Sequence, residues 1–157
     1  MNIKERLETA LGHCDKLRKE LLFSHGWISK ELINEQWVRD LEKDEMKKER
    51  VSTFCARFGT FQDYLADKVI RLWLEAVGEH VGTALENFSV AERAGILSIP
   101  SEQMVEIRTV RNRLTHEYIE NSKEFSADVN AVIKFTPALL EKLEKLVMHY
   151  RSVVCKT

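Results

Sequence analysis

The sequence predicts an all-α domain, arranged as an antiparallel up-and-down bundle of about five helices. Three observations support this. The 157 residues include only two prolines and six glycines, so helix breakers are rare. The long stretches between them are rich in Leu, Glu, Lys and Ala, the composition of helical bundles. Apolar residues recur every three or four positions over long runs, which is the period of a helix and not of a strand. Short connections between such runs favour antiparallel neighbours. A chain of this length fits one domain, residues 1–157, and can bury roughly 68–70% of its unfolded surface without a metal or disulfide staple.

The elements follow in order. Ile3, Leu7, Leu11, Cys14, Leu17 and Leu21 form the apolar stripe of a first helix, expected to stop near Ser24-His-Gly26. Residues of about 24–50 are more charged and read as an extra polar helical connection, with Leu32, Ile33, Trp37, Val38 and Leu41 as a thin apolar stripe. From about Glu45 to Val77, Val51, Phe54, Phe58, Phe61, Leu65, Val69, Leu72 and Ala76 hold the helical period and predict the central core helix. Gly78 and Gly82 bracket its end, and Ser89-Val-Ala-Glu92 has the spacing of a capping box for a short helix to about Ile96. Ile99-Pro100-Ser101 opens a helix through about Tyr118, with Ser101 as candidate cap. A last helical stretch from about Phe125 to Val153 should be kinked or split at Pro137.

Composition narrows the function classes. The net charge of −1 from 24 basic and 25 acidic residues gives no whole-chain field toward nucleic acid or membrane, so any such contact must be local. Cys14, Cys55 and Cys155 form no C-x-x-C pair, which suggests neither zinc nor a secreted disulfide framework. Without an apolar leader at the N-terminus or a membrane span, a cytoplasmic protein with no membrane partner is expected. Gly-rich phosphate loops, H-E-x-x-H and G-x-S-x-G are absent, so no cofactor and no metal is expected. The acids of Asp40–Glu45 are interleaved with lysines and read as a solvated face.

The chemistry gathers in one segment, Arg108-Thr-Val-Arg-Asn-Arg-Leu-Thr-His-Glu-Tyr118. On an ideal helix, Ile107, Val110 and Leu114 form the apolar stripe, and His116 points about 150° away from it. Asn112 falls within about 40° of His116, and Arg111 at the stripe's edge, nearly in line with Tyr118. His13, His25, His80 and His149 have no such neighbours and read as surface or half-buried residues. The plain alternative for the segment is a cationic helix end suited to the macrodipole.

Arg111-Asn-Arg-Leu-Thr-His116-Glu-Tyr118 resembles the R-N-x-x-x-H-x-Y signature of the HEPN superfamily, in the form carried by HepT-type toxins and nucleotidyltransferase substrate-binding proteins. Met104–Val110 is similar to that family's approach to the motif, and Arg57-Phe-Gly-Thr-Phe-Gln-Asp-Tyr-Leu65 to its central helix. The likeness covers about Val51 to Val153; the chain departs from a minimal member at Ser24–Arg50, where extra residues intervene.

The resemblance implies a homodimeric, metal-independent endoribonuclease with Arg111 and His116 of both subunits meeting in a cleft. It implies a minimal nucleotidyltransferase antitoxin that inhibits the toxin by placing AMP on Tyr118. Arg111 and His116 lie about 140° apart on an ideal helix, so two helices across a two-fold axis suit a shared site better than one. Asn112 is expected to orient or contact phosphate, and Arg108 and Arg113 to supply the local positive field for an RNA substrate. Two alternatives stay open: a non-catalytic helical adaptor for the nucleotidyltransferase, and a structural helical dimer with an accidental motif.

Overall fold

A computed structural model describes residues 1–115 and 120–154. Among the described residues the protein is a helical bundle with no strand, and no helix is long and apolar enough to cross a membrane. Helix α1, Ile3–Ile28, opens on a reciprocal capping box between Asn2 and Glu5. It runs past Gly26, where the sequence suggested a stop, because Ile28 is itself fully buried. Burying that side chain is worth about 1.5–3 kcal/mol, more than the roughly 1 kcal/mol that a helical glycine costs.

The segment expected to be a polar connection is docked. Helix α2, Glu35–Arg39, is capped by Asn34 and followed by a 3-10 turn, Asp40–Lys43. Ile33, Val38 and Leu41 are buried, while Leu32 is exposed. The Asn130 amide donates to the Ile33 carbonyl at 2.8 Å, tying the segment to the last helix.

Helix α3, Glu45–Tyr64, passes through a π-helical turn, Leu65–Ile70, into α4, Arg71–Ala76. Its phenylalanines Phe54, Phe58 and Phe61 are fully buried and form the centre of the core together with Leu7, Leu21, Phe88 and Leu139. In α4 the stripe widens, since Leu72, Trp73 and Leu74 are all buried. Gly78, at φ +78°, ends α4 in a left-handed cap, with the Glu79 N–H reaching back to the Leu74 carbonyl. Gln62 is fully buried in α3 with neither amide atom hydrogen-bonded among the described residues.

Helix α5, Ala84–Arg93, begins earlier than its sequence suggested. The capping box is Thr83 with Glu86, not Ser89 with Glu92. Glu92 instead accepts from the N–H and hydroxyl of Ser101 at 3.0 and 3.2 Å, fastening the end of α5 to the first residue of α6, Ser101–Arg113. Ser101 is therefore inside the helix and Pro100 precedes it, while Met104, Ile107, Val110 and Leu114 bury the expected stripe.

Helix α7, Ser122–Val154, continues through Pro137, so of the expected kink or split the split does not occur. Proline has no N–H to give the carbonyl four residues back, and that carbonyl belongs to Ile133. His25 Nε2 lies 2.9 Å from it and takes the missing donor's place. A contact from α1 thus stabilises α7 where its own backbone fails.

Candidate functional site

The last turn of α6 faces two neighbours. At about 100° per residue, Arg111 and Arg113 are roughly 160° apart around the helix, so they reach opposite flanks. Arg113 turns to α7 and makes a two-pronged pair with Asp128, Nε to Oδ2 at 3.0 Å and Nη2 to Oδ1 at 2.9 Å. The Asp128 side chain is only 11% exposed. Bidentate pairing of this kind fixes geometry as well as charge.

Arg111 turns to α3. Its Nη2 donates to Asp63 Oδ2 at 2.5 Å and its Nη1 to Asn112 Oδ1 at 3.1 Å. The guanidinium passes across Gly59, one turn before Asp63: a Cβ there would stand 2.8 Å from Arg111 Nε. Glycine is needed at 59 for this close approach and not for a turn, since it sits mid-helix. The pair is open, with 30% of the Arg111 and 40% of the Asp63 side chain exposed. Arg111 keeps further N–H groups for a ligand. It borders a pocket of about 390 Å³ with Cys55, Gly59, Thr60, Thr115 and Phe125. Burial pushes the Cys55 thiol up to about 12, so it is no nucleophile at neutral pH.

Arg108 and Asn112 share a second open pocket, of about 470 Å³, with Thr83, Leu85, Val105 and Thr109. Arg108 Nη1 is buried there without a hydrogen-bond partner among the described residues. Such an orphaned donor is uncommon and costly. Asn112 lies between the two pockets, lining one and bonding the arginine of the other. The expected set therefore divides: Arg108, Arg111 and Asn112 occupy adjoining pockets, while Arg113 is engaged with the scaffold. His116 and Tyr118 lie outside the described residues. The regular helix ends at Arg113 with Leu114 as its cap, short of the extent assumed on the helical wheel.

Sequence reasoning did not single out Asp63, Gly59 or Asp128. Gly59 carried a signal, because a lone glycine inside a helical core pattern usually has a packing reason. Asp128 carried none. Among the described residues no group of three or more His, Cys, Asp and Glu is gathered as a metal ion would need. The arrangement can bind an anion: cationic donors held in place at the mouth of a concave surface. No family model matches the chain, and no curated protein or solved structure is significantly similar to it.

Proposed function

We propose that this chain is a HepT-like member of the HEPN superfamily, a cytoplasmic toxin acting as a metal-independent endoribonuclease through a composite Arg111/His116 site at a homodimer cleft. One observation carries the reading. Arg111 of the R-N-x-x-x-H-x-Y segment lies across Gly59 and pairs with Asp63, both in the second segment that bears the resemblance. Two stretches some 50 residues apart, singled out separately, meet at the arginine assigned to the chemistry.

In this mechanism His116 in its neutral form takes the proton from an RNA 2′-hydroxyl. The 2′-oxygen attacks phosphorus, the bond to the 5′-oxygen breaks, and that oxygen takes a proton from the partner's His116 or from water. The products are a 2′,3′-cyclic phosphate and a 5′-hydroxyl. Arg111, oriented by Asp63 and Asn112, donates to the phosphorane oxygens. Arg108, lining the adjoining pocket with Asn112, adds positive charge beside a neighbouring phosphate. A nucleotidyltransferase antitoxin adds AMP to Tyr118, and the bulky anion blocks phosphate entry.

A second reading, the non-catalytic adaptor of a minimal nucleotidyltransferase, is favoured by the pairing of both Arg111 and Arg113 with carboxylates, which suits scaffolding. Cleavage assays in EDTA on the wild type, Arg111→Ala and His116→Ala separate the two. Cyclic-phosphate ends that vanish in both variants support the ribonuclease; no cleavage by the unmodified wild-type dimer leaves the adaptor.

A further inference from the structure

A groove of about 580 Å³ lies between the end of α1 and the first half of α3, lined by Phe23, Ser24, Trp27, Lys30, Arg50 and Arg57 together with Gly26, Glu49 and Thr53. Its chemistry is unlike that of the core beside it. The only large apolar groups are two aromatic rings, with no aliphatic side chain among the lining residues. Phe23 is 80% exposed, and nothing among the described residues covers it. The Arg50 guanidinium carbon lies over the Trp27 ring, 4.6 Å from its centroid, a cation–π contact.

Arg57 is held by the Glu20 carbonyl at 3.2 Å and the Ser24 hydroxyl at 2.8 Å, both through Nη1. Its other donors are left for a ligand. Three cations face one acid, Glu49, in a chain whose overall charge is nearly balanced. Gly26 leaves the α1 backbone bare between Phe23 and Trp27, and a Cβ added there would meet nothing within 4 Å. Packing therefore does not require the glycine, which costs helix stability. A bare backbone does let a flat ring approach.

We infer that this groove binds single-stranded nucleic acid, RNA under the function proposed above, with a base stacked on Phe23 and phosphates held by Lys30, Arg50 and Arg57. Flat rings interleaved with cations and hydroxyls match base, phosphate and sugar. A docked amphipathic helix would need aliphatic sockets at helical spacing, and the groove has none. The position suits delivery to the candidate site. Arg57 in the groove and Gly59 and Thr60 in the Arg111 pocket lie within one turn of α3, so a strand leaving the groove crosses α3 toward Arg111.

The choice of RNA over DNA rests on the ribonuclease reading, but binding is measured apart from cleavage. The probe is a fluorescein-labelled 2′-O-methyl RNA of about ten nucleotides, which has no nucleophilic 2′-hydroxyl and spans a typical single-strand site. Fluorescence anisotropy on the full chain should show Phe23→Ala weakening binding on the order of tenfold to a hundredfold, with Phe23→Tyr near wild type and Phe23→Leu as weak as alanine. Lys30→Ala and Arg50→Ala should each reduce the slope of log affinity against log salt by about 0.7. Lys145→Ala, exposed and outside both pockets, should bind as wild type, and because the probe cannot be cleaved, a failed cleavage reading leaves this result standing. Absence of binding at low salt overturns the inference. So does a Phe23→Leu variant that binds like wild type, because an apolar but non-aromatic side chain would then suffice, pointing to a protein segment as the occupant.

Discussion

Arg111 and Arg113 stand two residues apart in one helical turn, and each meets an aspartate, yet the two pairs differ in kind. Arg113 grips a nearly buried Asp128 with two bonds, whereas Arg111 makes one bond to a half-exposed Asp63 and one to Asn112 at the edge of a pocket. A buried carboxylate stripped of its partner is expensive; an exposed one is rehydrated. The first arrangement suits a structural clamp and the second an oriented ligand. Residue type alone does not distinguish the two pairs; the burial of the aspartate does.

The largest expected effect tests the functional half of that contrast. Arg111→Ala should lower RNA cleavage by at least about a hundredfold, the usual scale for losing one transition-state donor. Thermal unfolding should shift by no more than ~3 °C, since an exposed pair contributes under about 1 kcal/mol. Arg111→Lys should not restore activity, because an ammonium lacks the planar fork. A large loss of stability in Arg111→Ala would erase the distinction from Arg113.

Arg113→Ala should do the reverse, destabilising by about 2–3 kcal/mol and lowering Tm by roughly 4–10 °C in denaturation scans. The double variant Arg113→Ala/Asp128→Ala should cost less than the two single variants summed, because the two side chains are in direct contact and their effects are coupled.

Gly59→Ala probes the orientation of Arg111 without removing it. Its Cβ would crowd the guanidinium from 2.8 Å, and cleavage should fall on the order of tenfold through misplacement. Stability should hold or rise, since alanine is the better helix former and the crowded group is the end of a flexible chain. Unchanged kinetics would show that Arg111 need not lie across α3 to act.

His25 belongs with Arg113 as a chemically capable residue committed to the scaffold. His25→Ala should cost about 1–2 kcal/mol by stranding the Ile133 carbonyl, with cleavage unaffected. Pro137→Ala restores the backbone donor and should abolish most of that cost, which a double-mutant cycle would read directly.

The smallest effect is alkaline. Burial pushes the thiols of Cys14 and Cys55 from 9.0 up to about 12; at Cys14, Asp15 adds to the rise and Arg18 opposes it. The unfolded chain releases these protons first. The thiols' contribution to stability is therefore full below about pH 9 and lost as pH climbs toward 12. Cys55→Ala should flatten the unfolding curve over that window.

Much of the bundle was legible in the amino-acid sequence. The stripe Leu7, Leu11, Cys14 and Leu21 and the series Phe54, Phe58 and Phe61 are buried where periodicity put them. The misreadings occurred where a distant partner overrode a local signal. Glu92 has capping-box spacing from Ser89, but it bonds Ser101 across a connection. Pro137 does not split its helix, and His25 supplies the donor it lacks. The segment 24–50 is helical and polar as expected, and its buried Ile33, Val38 and Leu41 dock it on the bundle while Leu32 stays exposed. At the site, the arginines and Asn112 stood out by type and spacing, while Asp63, Gly59 and Asp128 acquire meaning only from what they touch.

By itself, then, the sequence determined the fold class and the short segment in which arginine, asparagine and histidine collect, because helical period and residue chemistry are local properties. Only the tertiary structure decided which arginine is clamped and which is presented, and which rings line an open groove. Those outcomes depend on how α3 and α7 pack against opposite flanks of α6, and on the burial that packing imposes on each aspartate. Such burial is a property of the assembled bundle, and no window of sequence contains it.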